Sequence, residues 1–218
     1  MIDFKSFWNE ESLKLNDADK SRIENDFGET DYFVKWLLAK VLSANPSDNV
    51  LDAYEAFVEE NKYLFTAKMS PREFGETWAE GFVLERNPNL KKSGVSEYDL
   101  TNKAEDVRIE VKAKRVATPS GGGSMADRMK KFEDTDDEKY KLNFQQVKPL
   151  CCDYFILMAV YLDRVRAWLV PSIDVLDKSK FSFSRQHRGG DGTEGQLWIT
   201  PSKLSKYECN VEDIQNLL

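Results

Sequence analysis

An α/β fold with a helical N-terminal layer is what this chain of 218 residues predicts, and three patterns predict it. Between Val107 and Ala113 apolar and polar residues alternate, the period-2 signature of a half-buried strand. From Asp153 to Leu162 the chain is almost continuously apolar and reads as a buried central strand. Val165 to Val170 follows the Asp163-Arg164 turn as its hairpin partner. Residues 1–66 and the stretch from Ser70 to Phe82 instead repeat their apolar residues at helical spacing.

In chain order, Asp31 or Thr30 is placed to cap a helix from Tyr32 to Leu42, ended by Asn45-Pro46. Asp48 or Asn49 opens another, with Leu51, Tyr54, Phe57 and Val58 on one face, running to about Asn61. This N-terminal part, residues 1–66, is expected to serve packing or dimerisation. Residues 67–218 form the second part. Ser70-Pro71 starts it with a capping residue and an N1 proline, and Glu73 falls in the first turn. Phe74, Trp78, Gly81 and Phe82 share one face of this helix, and Glu76 and Glu80, four apart, share another.

On the strand from Val107, Val107, Ile109, Val111 and Ala113 point one way and Arg108, Glu110 and Lys112 the other. A carboxylate and an ammonium two residues apart on one face stand side by side, and Asp99, at the end of the preceding segment, is within reach of the same place. A hard divalent cation takes oxygen ligands, and Mg²⁺ is held by one or two carboxylates while keeping several waters. Lys112 would then sit beside a metal-bound water.

Beyond the strand, Ala117 to Ser124 is a glycine-rich loop without the Gly-Lys-Ser/Thr of a P-loop. Arg128, Lys130 and Lys131 precede the acidic run Glu133 to Glu138, a solvated charge block whose basic end can reach a DNA backbone. Lys139 to Lys148 reads as a helix, with Tyr140, Phe144 and Val147 on one face and Gln145 and Gln146 exposed. Pro171-Ser172 leads into a short helix. Arg185 to Gly195 is a polar, glycine-dense loop offering Arg185, His187 and Arg188 as donors to phosphates or base edges. Gln196 to Thr200 is a last strand, and Asn210 caps a terminal helix containing Val211, Ile214 and Leu217.

Composition narrows the classes. No apolar run approaches the ~20 residues of a membrane span, and the acidic N-terminus is unlike a signal peptide, so a cytoplasmic protein is expected. Three cysteines, Cys151 and Cys152 adjacent, make neither a disulfide framework nor a zinc cluster and suit a buried strand. A single histidine, His187, excludes sites built on two or more. The net charge of −7 is unevenly spread: residues 1–90 hold 10 Lys/Arg against 18 Asp/Glu, and residues 91–218 hold 21 against 20. The half with the candidate site is therefore not acidic overall.

Asp99 followed by Glu110-Val111-Lys112 resembles the PD-(D/E)xK nuclease superfamily of restriction and DNA-repair enzymes. The resemblance spans about Pro71 to Pro171, and Tyr98 stands where the family's nominal proline precedes the aspartate. It implies a restriction-endonuclease-like core, a central mixed β-sheet flanked by helices in the order helix, motif strand, helix, apolar strand. It further implies Asp99, Glu110 and the Val111 carbonyl as ligands of Mg²⁺, for which Mn²⁺ can substitute, with Lys112 as the catalytic amine. A helix carboxylate joins them, Glu76 by first choice and Glu80 by second; Gln145 is a further candidate near the site. The implied activity is cleavage of double-stranded DNA, most like a type II restriction endonuclease working as a homodimer. Lys114, Arg115, Arg128, Lys130, Arg185, His187 and Arg188 are expected on the DNA. A repair or junction nuclease of the same superfamily, or an inactive DNA-binding or assembly module with this core, are the alternatives.

Overall fold

The computed structural model describes residues 3–27, 31–44, 56–104, 106–119, 123–177, 179–185 and 194–218. The chain divides into two compact units, Met1–Asn61 and Lys62–Leu218. The boundary falls slightly before the one expected from sequence. The 3₁₀ turn Leu64–Lys68 belongs to the second unit because the Arg115 guanidinium donates to the carbonyls of Thr66 and Met69 at 2.7 and 3.1 Å.

In the first unit, α1 (Phe4–Glu11), α2 (Asp17–Phe27) and α3 (Tyr32–Ala44) close around Trp8, Ile23, Leu38, Ala39 and Leu42. Asp3 caps α1, accepting from the Ser6 N–H at 3.2 Å. The expected helix from Tyr32 is α3. The next one is seen only over residues 56–60, and its expected caps, Asp48 and Asn49, lie outside the described residues.

The second unit is built on a six-stranded mixed sheet. Its strands are β1 (Leu90–Lys92), β2 (Leu100–Asn102), β3 (Arg108–Arg115), β5 (Tyr154–Val160), β6 (Val165–Pro171) and β9 (Glu208–Cys209), in that spatial order. Only β3 and β5 run parallel; the other neighbours are antiparallel. A second sheet is antiparallel, β4 (Leu142–Val147), β8 (Gly195–Ile199) and β7 (Ser182–Arg185) in that order.

The two faces of the large sheet are covered differently. Ile109, Val111, Ile156, Met158 and Leu169 pack with Ala79 and Val83 of the helix before the sheet and with Val211 and Ile214. Phe155, Leu157, Ala159, Trp168 and Val170 pack on the other side, against Leu142, Phe144, Leu197 and Ile199 of the small sheet. The helix opens with the capping box expected of Ser70 and Glu73: the Ser70 N–H donates to Glu73 Oε2 at 2.8 Å and the Glu73 N–H to Ser70 Oγ at 3.2 Å. It then winds as a π-helix over Glu73–Ala79 before continuing as α4 (Glu80–Arg86). Phe74 stacks on Trp78, four residues on, at 5.3 Å with the rings 10° from parallel.

The helix expected over Lys139–Lys148 is instead β4, which corrects the sequence reading. Leu142, Phe144 and Val147 are all buried, but the register slips between Phe144 and Val147, and Gln146 takes a left-handed φ of 54°. A bulge adds one residue to an inward alternation of two, so its buried positions imitate helical spacing. Cys151 and Cys152 lie in the turn before β5 rather than in a strand.

Candidate active site

Asp99 ends the turn before β2, and the pairing of Leu100 with Ile109 and Thr101 with Arg108 brings it opposite Glu110. The ladder between β2 and β3 stops there. The Val111 N–H on this side of β3 is accepted by Asp99 Oδ2 at 2.8 Å, so the carboxylate stands where the next rung would be. The start of β3 is fixed on its other side. Arg108 grips Asp153 through Nη2 and Nε at 2.7 and 3.1 Å, and Asp153 Oδ2 also accepts the Arg108 N–H at 2.8 Å. This two-pronged pair locks the parallel register of β3 and β5.

Glu110 and Lys112 lie on the face of β3 that carries Phe155 and Leu157 on β5, as the alternation requires. The Glu110 carboxylate is 6% exposed and meets Lys112 Nζ at 2.5 Å. Burial pushes its pKa up; the Lys112 ammonium opposes that, and the nearby Asp99 charge adds to it.

Of the two helix carboxylates, Glu80 is the buried one and lies within electrostatic reach of Asp99. Glu80 is 7% exposed, pairs with Lys92 of β1 at 3.1 Å, and has its pKa raised, first by burial and then by the Asp99 charge against the pull of Lys92. Glu76 lies on the exposed side of the helix, paired with Arg72 at 2.7 Å. Sequence reasoning missed Lys148. It sits in the turn after β4, within electrostatic reach of Glu110, and holds Glu194 at 3.0 Å. No motif or spacing marks it, because only the return of the small sheet carries it there.

The remaining candidates scatter. Gln145 is exposed on the bulged part of β4. Arg115, expected on DNA, is turned to the opposite face, where it binds the Thr66 and Met69 carbonyls and lies over the Phe74 ring at 4.3 Å. Lys114, Arg128 and Lys130 are half-buried near the far end of β3. Arg185 ends β7, opposite Gly195. His187 and Arg188 lie outside the described residues.

Among the described residues no three acidic, thiol or imidazole groups form a ready cation cage. The donor set is smaller: the oxygens of Asp99 and Glu110, with Glu80 held by Lys92. Two carboxylates suit Mg²⁺, which keeps much of its water. The raised Glu110 carboxyl is a place where an added positive charge would be favourable. No protein-family model matches the sequence, and no curated protein does. Among the described residues no helix is long and apolar enough to cross a membrane.

Proposed function

We propose that this chain is a Mg²⁺-dependent endonuclease with a restriction-endonuclease-like core, cleaving phosphodiester bonds of double-stranded DNA as a homodimer, most like a type II restriction enzyme. One observation carries the reading: Asp99, Glu110 and Lys112 come together where β2 leaves β3. Asp99, Glu110 and the Val111 carbonyl would hold the cation, which when bound polarises the scissile phosphate and acidifies a water. The Lys112 ammonium offsets part of the cost of burying the Glu110 carboxylate, and would then donate to the phosphoryl oxygens as charge builds there. Glu80, buried and with its pKa raised by that burial, would stand near Asp99 as a further carboxylate.

Lys112→Ala is expected to fold and to lose Mg²⁺-dependent nicking of plasmid DNA by at least ~10²-fold, the range a positioned charge or acid–base group supplies. Undiminished nicking removes the assignment. A second reading, an inactive DNA-binding module, draws on the small donor set and on the closed Glu110–Lys112 pair. Retained DNA binding with no nicking by the unaltered chain in Mg²⁺ or Mn²⁺ would select it. Sequencing the ends produced from a large mixed DNA separates restriction, which leaves discrete ends, from a repair or junction nuclease.

A further inference from the structure

Past Lys112, the same face of β3 carries Lys114, and the chain brings two more cations to it. Ala117 and Met129 form an antiparallel bridge, flanked by the Thr118 N–H on the Arg128 carbonyl at 2.8 Å and the Lys130 N–H on the Val116 carbonyl at 2.9 Å. Bridged residues share a face, and Met129 packs with Phe74 and Val160 on the helix side. By alternation Lys130 therefore points to the side of Glu110, Lys112 and Lys114, and Arg128, which ends the short helix Met125–Arg128, is near enough to Lys114 for its charge to act on it.

Several other cations of the second unit, exposed or half-buried, are paired with carboxylates, while Arg115 binds backbone carbonyls. Arg166 binds Glu208 and Asp137 at 2.7 and 2.6 Å, Arg108 binds Asp153, Lys92 binds Glu80, and Lys148 binds Glu194. Among the described residues Lys114, Arg128 and Lys130 have no carboxylate in ion-pair contact. Among the described residues Arg128 makes a single side-chain bond, 3.4 Å from Nε to the Ser124 carbonyl. Burial, then the Arg115 and Arg128 charges, push the Lys114 pKa down. Three cations without a described carboxylate in ion-pair contact, in a protein of net charge −7, leave a place for an anion supplied from outside.

We propose that Lys114, Arg128 and Lys130 form a track for the phosphodiester backbone of a nucleic-acid strand, flanking the scissile phosphate at Lys112. The track deepens the nuclease reading and rests on it for the identity of the anion. Cations at alternate positions of a strand stand about 6.6 Å apart, close to the step between successive phosphates of one nucleic-acid strand. Lys112 and Lys114 can thus serve neighbouring phosphates, with Arg128 and Lys130 continuing the line. Such contacts set register and carry no sequence information.

The test is a salt series of fluorescence anisotropy with a labelled mixed-sequence duplex and no divalent cation, comparing the full chain with the triple variant K114Q/R128Q/K130Q. Each lost phosphate contact removes about 0.9 from the slope of log affinity against log salt, so the triple variant is expected to fall by roughly 2–3. If the triple variant misfolds, Lys114→Gln and Lys130→Gln tested singly are each expected to lower the slope by about 0.9. Lys114→Gln is expected to melt no lower than the parent, since it relieves repulsion; a purely structural lysine would lower it. An unchanged slope overturns the track, whatever the parent chain cleaves. The same substitutions abolishing sedimentation with phosphatidylserine vesicles while sparing DNA binding overturn it in favour of a membrane surface. A track-dependent slope in a chain that never nicks DNA with Mg²⁺ leaves the track standing and removes the nuclease reading.

Discussion

Glu110 serves the site at the expense of the fold. Its carboxyl sits at 6% exposure beside Asp99, with the Lys112 ammonium as its counter-charge, and the net result is a raised pKa. The sign follows from linkage: the unfolded chain ionises this group at lower pH than the folded one does. Stability is therefore fullest below the unfolded pKa and is lost as pH rises through the folded one. Glu110→Gln keeps the shape and removes the burdened charge. In metal-free buffer near neutral pH it is expected to melt at the parent temperature or roughly 2 °C above it, the scale of a fraction of a kcal/mol in a chain this long. The gap should close as pH falls into the carboxylate range, while Mg²⁺-dependent nicking is lost. A clearly lower melting temperature would mean that the Lys112 pair outweighs the burial. Lys112→Ala tests the same pair from its other end.

At the scale of elements, what could be read in advance was what local pattern controls. The alternation of β3, the apolar run of β5, its hairpin with β6 and the Ser70–Glu73 box are each set by neighbours within a few residues. The strand β4 was not legible, because its bulge at Gln146 gave Tyr140, Phe144 and Val147 the spacing of a helix. The preference for Glu80 over Glu76 was equally hidden. Both share the helix, and only the packing of its far end against the sheet decides which is buried. Lys148 depends on contacts between segments far apart in the chain, which no window reveals. The bulge itself is testable. A β-branched side chain is strained at a left-handed φ, so Gln146→Val is expected to destabilise by about 1–3 kcal/mol, read as a lower urea midpoint with an unchanged m-value. Gln146→Gly, free to take that φ, is expected to stay within about 1 kcal/mol of the parent. Equal loss in both would place the sensitivity in the side chain's contacts and not in its backbone.

At the scale of the whole molecule, each unit carries its own interior. Among the described residues, the cluster around Trp8, Ile23 and Leu38 lies in the first unit and the three clusters around the sheets lie in the second. The second unit also contains every residue of the candidate site and of the phosphate track. Its length is that of an ordinary domain, whereas a fold near 60 residues buries only about 60% of its unfolded surface and is marginal by itself. Residues 62–218 produced alone are therefore expected to unfold in one cooperative transition by circular dichroism, with a urea m-value smaller than the parent's in proportion to the surface removed. If the proposed track is right, the same fragment is expected to bind duplex DNA with the salt dependence assigned to Lys114, Arg128 and Lys130. If the helical layer joins two copies, sedimentation will show the full chain as a dimer and the fragment as a monomer. Cleavage of both strands will then give way to single-strand nicking, because each copy brings one set of Asp99, Glu110 and Lys112. A fragment that binds no DNA although it folds would instead place part of the nucleic-acid surface in the first unit, against the acidic balance of the N-terminal half.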